Sequence, residues 1–179
     1  RARRDRALDR STLERLASGR VMLCDKTGTL TQGKPGLADV VTDRQIDPDE
    51  LLRLAASLDQ VSAHVLASSI VAAGSRRGLA LEMPEEVREV HGYGVEGFVS
   101  DRKIRLGKAS WIVGEHQPGW VRQVRRRADL DGSLTIFCAI DGRPAGAFLL
   151  EDPIRPDAPR MVRALRDAGV TSVVLVTGD

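Results

Sequence analysis

Aromatic residues are nearly absent from this chain: three Phe, two Trp and one Tyr make up 3% of its 179 residues. A core must therefore be built from Leu, Val, Ile and Ala, and the 42% hydrophobic content is enough to build one. Length allows one domain or two small ones. Lysine is scarce too, with only Lys26, Lys34, Lys103 and Lys108 among 27 basic residues. A dominant charge of either sign is missing. The net charge of +2 argues against nucleic acid as the main partner. The basic cluster Arg122, Arg125, Arg126 and Arg127 has only Trp120 beside it, so it lacks the aromatic platforms on which bases stack. Cys24 and Cys138 each sit inside an apolar run, without Cys-x-x-Cys spacing or His neighbours. That argues against zinc and for buried, reduced thiols. No hydrophobic run approaches the length of a membrane helix, and no signal peptide is visible.

What is present is concentrated in seven residues, Asp25-Lys26-Thr27-Gly28-Thr29-Leu30-Thr31. They follow the apolar run Val21–Cys24, which reads as a buried strand. The run delivers a carboxylate to the C-terminal end of a strand, where open α/β sheets place their ligands. A Thr/Gly loop rich in hydroxyls and backbone N–H groups suits a carboxylate nucleophile that accepts a phosphoryl group. Thr27 occupies the second position after the Asp. Phosphatases of the haloacid dehalogenase type carry a second Asp there as acid/base. A hydroxyl is a poor base at neutral pH, so an aspartyl phosphate on Asp25 is expected to persist.

Downstream, Gln32–Gly36 breaks regular structure. Asp47-Pro48-Asp49-Glu50 predicts a helix start, with Asp47 as N-cap and Glu50 closing a capping box. A second helix is predicted from about Ser62 to Arg77, stopped by Gly78. Two hairpins follow, 95–99 with 104–107, and 134–140 with 145–150 turning at Asp141-Gly142. Between them, 115–129 reads as a solvated helix. Arg155-Pro156-Asp157 opens a last helix that ends at Gly169. The run Val173–Val176 is a buried parallel strand leading to Thr177-Gly178. The fold expected is α/β: a Rossmann-like sheet holding Asp25 and Thr177, interrupted by an inserted α+β domain with an antiparallel sheet flanked by helices. The expected parts are residues 1–34, 35–147 and 148–179, and the paired crossings make a hinge.

The heptapeptide resembles, at every position, the phosphorylation motif of the P-type ATPases. The order strand, heptapeptide, insert, Asp152-Pro153-Ile154-Arg155, helix, strand, Thr177-Gly178-Asp179 is similar to that family over almost the whole chain. The resemblance implies a truncated haloacid dehalogenase-like phosphorylation domain with an inserted nucleotide-binding domain. It makes Asp25 the phosphoryl acceptor, assisted by Lys26, Thr27, Thr177 and Gly178, and makes Asp152 and Arg155 hinge residues. Mg²⁺ would be held by Asp25 and the backbone carbonyl of Thr27. Ser62-Ala63-His64 and Gly92-Tyr93-Gly94-Val95 resemble the nucleotide site of the heavy-metal-transporting branch. This implies ATP bound by Asp59, His64, Gly92, Gly94, Val95 and Lys108. Ala63, Val65, Asp59 and Lys108 stand where that branch has Glu, Pro, Glu and Asn.

Implied partners are the rest of the same pump, namely its membrane helices and actuator domain, and a transported metal cation. Nucleic acid is not among them. The arginine-rich residues 1–19 read as a solvated helix face, with arginines lying near anionic headgroups as the alternative. The resemblance implies the cytoplasmic side of the membrane for the chain as part of its parent protein. The 179 residues are expected to be a soluble, monomeric fragment that binds nucleotide without steady turnover. Two readings compete: a soluble haloacid dehalogenase-type phosphatase, and a non-catalytic nucleotide-binding module.

Overall fold

The computed structural model describes residues 18–43, 45–62, 64–114 and 117–176. In chain order the elements are β1 (Val21–Asp25), β2 (Gly36–Thr42), α1 (Pro48–Asp59), α2 (Val65–Arg76), β3 (Glu85–Val90), β4 (Gly94–Val99) and β5 (Arg102–Gly107). They continue with α3 (Ala109–Ile112), α4 (Gly119–Asp131), β6 (Leu134–Ile140), β7 (Arg143–Glu151), α5 (Ala158–Asp167) and β8 (Ser172–Val176). The chain forms two compact units, one from residues 1–33 and 153–179, the other from 34–152. The break expected after residue 147 falls inside β7. That strand continues to Glu151 because its apolar run Ala145–Leu150 stays laddered to β2 and β6.

In the first unit β1 and β8 pair in parallel, with Asp25 opposite Val176. The parallel pairing is as the sequence predicts; the burial is not. Val21, Leu23, Val174, Leu175 and Val176 are 45–69% exposed, and only Cys24 is buried. A two-stranded sheet has no interior strand, and no described layer covers either of its faces. Asp157 precedes α5 without a side-chain capping bond, its carboxylate held by Arg155, and Gly169 adopts φ +99 just beyond that helix. Residues 1–17, with their arginine-rich stripe, and Thr177 and Gly178 lie outside the described residues.

The second unit is a six-stranded antiparallel sheet in the order β2-β7-β6-β5-β4-β3. Strand periodicity of two explains why both faces are buried. On one face Cys138, Ile140, Phe148 and Leu150 join Ile104 and Leu106 against Leu51, Leu54 and Leu58 of α1 and Ile70 of α2. On the other, Phe137, Ala139, Ala147 and Leu149 meet Ile112, Val121 and Val124 of α3 and α4. The apolar runs of β6 and β7 thus have two helical layers to fill.

Four sequence expectations are corrected. Helix α1 is capped by Asp47, whose Oδ1 accepts from the Asp49 and Glu50 N–H groups at 2.9 and 3.3 Å. Glu50 does not reach back to close a capping box; its carboxylate lies 2.7 Å from Arg53 Nε, an ion pair that outcompetes the return bond. Helix α2 begins at Val65, three residues late, because His64 is its cap. Helix α4 is shifted to Gly119–Asp131 and is not wholly solvated: Val121, Val124 and Ala128 form a buried stripe. Strands β2 and β3 carry no assignment from the sequence. Asp39 interrupts the apolar pattern of β2 at a bulge, and β3 is an edge strand whose Glu85, Glu86, Arg88 and Glu89 face solvent.

Candidate functional site

Asp25 is the last residue of β1 and is exposed. Its carboxylate makes no hydrogen bond or ion pair with any described residue, so the fold leaves it free for chemistry. The loop after it is a tight turn rather than a helix. Thr27 is extended (φ −77, ψ 124) and Gly28 is left-handed (φ +75). Thr31 holds this turn open from within. Its hydroxyl accepts the Gly28 N–H at 3.0 Å and donates to the Lys26 carbonyl at 3.2 Å, and its own N–H reaches the same carbonyl at 3.2 Å. Thr31 is only 3% exposed, and sequence reasoning missed its role; its fixed place three residues after Gly28 is the signal. Gly33, at φ +69, comes so close that a Cβ there would lie 3.3 Å from the Gly28 Cα.

The segment Pro153–Arg155 straps the loop's exit. Arg155 N–H donates to the Leu30 carbonyl (2.8 Å) and Gln32 N–H to the Pro153 carbonyl (2.9 Å). The Arg155 guanidinium turns to Asp157 at 3.1 Å. In the second unit, Asp152 Oδ1 accepts the Lys34 N–H at 3.1 Å. Asp152 and Arg155 thus each tie down one strand of the double passage. β8 ends at Val176, opposite Asp25, and Thr177 and Gly178 lie outside the described residues.

A second site lies in the other unit. A cavity of about 470 Å³ brings together Asp59, His64, Gly92, Gly94, Val95 and Lys108, all six residues that the sequence nominated there. Sequence reasoning did not find Tyr93, Leu106 or Ile136, which line it as well. Its glycines follow from backbone geometry. Gly94 on β4 and Gly107 on β5 are register partners. A Cβ on Gly94 would fall on the Leu106 carbonyl oxygen, and one on Gly107 would fall on the Tyr93 carbonyl oxygen. Lys108 N–H then donates to that Tyr93 carbonyl at 2.9 Å. The Gly92-x-Gly94 and Leu106-Gly107-Lys108 segments therefore form one interlocked wall.

His64 caps α2 through its ring: Nδ1 accepts the Leu66 N–H at 3.2 Å. With Nδ1 accepting, Nε2–H is the donor that the ring has left to offer. Ala63 lies outside the described residues, and Val65 is the first residue of α2. Asp59 ends α1 and is 5% exposed. Burial pushes its carboxyl up to about 7 from 3.8.

This burial makes stability pH-dependent. Between the unfolded value and about 7 the folded chain keeps a proton that the unfolded chain has released. Asp59's own contribution to stability is therefore fully present below about pH 4, is lost as pH rises through about 7, and levels off above. Asp59→Asn is expected to remove that slope and to exceed the wild type at pH 8 by at most about 4 kcal/mol. Urea unfolding at pH 4, 6 and 8 checks this; a wild type more stable than the variant at pH 8 would contradict it.

The profile of the haloacid dehalogenase-like hydrolases matches residues 20–179. Copper-transporting ATPase 1 of Rhizobium meliloti (strain 1021) is 37% identical over 169 residues, an alignment covering 93% of this chain and 20% of that protein. A zinc-transporting PIB-type ATPase in its E2.Pi state superposes with a TM-score of 0.74 at 29% identity, covering 92% of this chain and 26% of that one. The catalytic domain of the CPx-ATPase CopB-B, solved to follow its conformational changes upon nucleotide binding, gives a TM-score of 0.70 at 25% identity over 96% of this chain and 57% of that one. The chain spans about a fifth of the length of the curated relatives it matches. No helix among the described residues is long and apolar enough to cross a membrane. On the match over residues 20–179, the chain belongs to the haloacid dehalogenase-like hydrolases, and the relatives it resembles are heavy-metal P-type ATPases.

Proposed function

We propose that this chain is the phosphorylation and nucleotide-binding portion of a P-type ATPase that moves a metal cation across a membrane. Asp25 is the phosphoryl acceptor, and the cavity of the second unit takes ATP. One observation carries the reading: an exposed, unengaged Asp25 at a strand end, with Thr27 two residues on in an open turn. An Asp25 carboxylate oxygen attacks the γ-phosphorus, and the bond from that phosphorus to the bridging oxygen of ADP breaks. Thr27 offers no base to activate water against the product. This favours a lasting phosphoenzyme over a soluble phosphatase. The free carboxylate favours catalysis over a purely nucleotide-binding module.

The donor set suits Mg²⁺, which takes hard oxygen ligands and keeps several waters. The Asp25 carboxylate and the Thr27 carbonyl would hold it, and it would supply positive charge to the phosphoryl oxygens. Thr27, Thr177 and the Gly28 and Gly178 backbone are assigned to orient those oxygens, with Lys26 beside them. Asp152 and Arg155 act as hinge residues. For ATP, the cavity has the volume of a small-molecule site, apolar walls, and a wall whose Gly94 and Gly107 let β4 and β5 approach closely. His64 supplies an N–H donor, Lys108 a cation for phosphate, and Gly92, Gly94 and Val95 the backbone beside the base. The implied partners are the membrane helices and actuator domain of the same pump, on the cytoplasmic side, and the metal cation is its cargo.

Titration of the chain with ADP, followed by amide NMR, is expected to shift Asp59, His64, Gly92, Gly94 and Lys108 together. The Asp39, Arg127 and Asp131 amides, grouped through the ion pairs of Arg127, are expected to stay still. A shift confined to the second group would move the nucleotide site elsewhere.

A further inference from the structure

Asp59 is the one strongly buried carboxylate of the cavity, and its surroundings offer it no counter-charge. Val95, Leu106 and Cys138 are buried in the core beside it. Its position at the C-terminal end of α1 sets it against the negative end of the helix dipole. His64, Glu89, His91, Tyr93 and Lys108 line the same cavity but are exposed at its rim. On β4 and β5, Glu96 pairs with Lys103 and Arg105, and Arg105 lies over Trp111 against the other sheet face. Arg102 pairs with Asp141 at a turn, and Arg53 and Arg77 are held by Glu50, Glu82 and Asp49. From β6 comes only the Cys138 thiol, itself pushed up by burial.

We propose that Asp59 reads the purine edge as a neutral acid, so that its ionisation switches the cavity from preferring adenine toward preferring guanine. The proposal rests on the reading of this cavity as a nucleotide site and deepens it. Adenine presents one acceptor, N1, beside one donor, N6–H. A neutral carboxyl matches both, its O–H donating to N1 and its C=O accepting from N6–H. An ionised carboxylate has no proton to give and meets the N1 lone pair with its own. Guanine presents two adjacent donors, N1–H and N2–H, which suit the ionised form. The folded protein places this choice near neutral pH, because burial alone holds the proton on Asp59 to about 7. Asp59→Asn fixes a donor and an acceptor at every pH.

The test uses the full chain without divalent metal and measures ADP and GDP binding by calorimetry at pH 6 and pH 8, for wild type and Asp59→Asn. The neutral fraction of a group titrating at about 7 falls roughly tenfold across that window. The wild-type preference for ADP over GDP is expected to fall about tenfold or more, and that of Asp59→Asn to stay flat. pH effects that do not pass through Asp59 act equally on both proteins and cancel in the comparison. The wild-type Asp59 carboxyl, followed by carbon-13 NMR, needs no variant: ADP should raise its titration midpoint and GDP should lower it. Parallel pH profiles in the two proteins, or a midpoint that neither nucleotide moves, would overturn the proposal while leaving the nucleotide site intact. Folded wild-type chain that binds neither nucleotide at pH 6 would instead overturn the reading of the cavity.

Discussion

Asp25→Asn, placed in the longer P-type ATPase that the proposed function implies, is expected to abolish the acid-stable, hydroxylamine-labile adduct formed from radiolabelled ATP. The loss should be at least about a thousandfold, because an amide oxygen is a far weaker nucleophile than a carboxylate and no neighbouring base activates it. The substitution should leave folding untouched. Asp25 is exposed, and its carboxylate holds no other described group in place. The turn is instead maintained by Thr31, Lys26 and Gly28 through bonds that an Asn at 25 does not alter. Loss of the adduct with an unchanged unfolding midpoint is the expected pair of results. An adduct of wild-type intensity in Asp25→Asn would place the acceptor elsewhere and remove the basis of the proposed function.

Gly94→Ala is expected to be the most damaging single methyl group in the cavity wall. Gly94 adopts φ +157, and its new Cβ would meet the backbone of Leu106 and Gly107 on the paired strand. Backbone held in a ladder cannot rotate aside as a side-chain end does, so β4 and β5 must separate where they form the cavity. Overpacking and backbone strain together should cost about 3–5 kcal/mol. Nucleotide binding should fall below detection even at temperatures where the chain stays folded. Gly92→Ala is the internal control. It has φ +78 but nothing within 4 Å of the added Cβ, so only left-handed strain of about 1–2 kcal/mol applies. Unfolding and ADP calorimetry on both variants check the contrast. Equal effects of the two substitutions would show that conformational strain, not the strand-to-strand contact, governs this wall.

The two glycine segments illustrate how far the sequence reaches. Gly92-x-Gly94 and Lys108 are visible in the sequence as separate features, each weak alone. Only the antiparallel register joins them, by setting Gly94 opposite Gly107. Strands β2 and β3 illustrate the opposite case. Asp39 breaks the apolar run of β2, and β3 is charged at Glu85, Glu86, Arg88 and Glu89, yet ladder bonds to β7 and β4 fix them at the two edges of the sheet. Helix α4 reads as solvated from its arginines, while its buried side is set by the second face of the same sheet, invisible until β6 and β7 are paired.

By itself the sequence determined the setting on which the role proposed for Asp25 rests: a strand end, a following hydroxyl-rich turn, and Thr27 in place of a second carboxylate are all local. It also determined the main helices and hairpins, whose caps and turn residues lie within a few positions of one another. The tertiary structure decided what depends on distant partners. It gathered Asp59, His64, Gly92, Gly94, Val95 and Lys108 around one cavity, although nearly fifty residues separate the first from the last. It also decided the protonation of Asp59, because a carboxylate's charge depends on solvent access. That access is removed by α1 packing on the sheet, a contact no stretch of sequence contains.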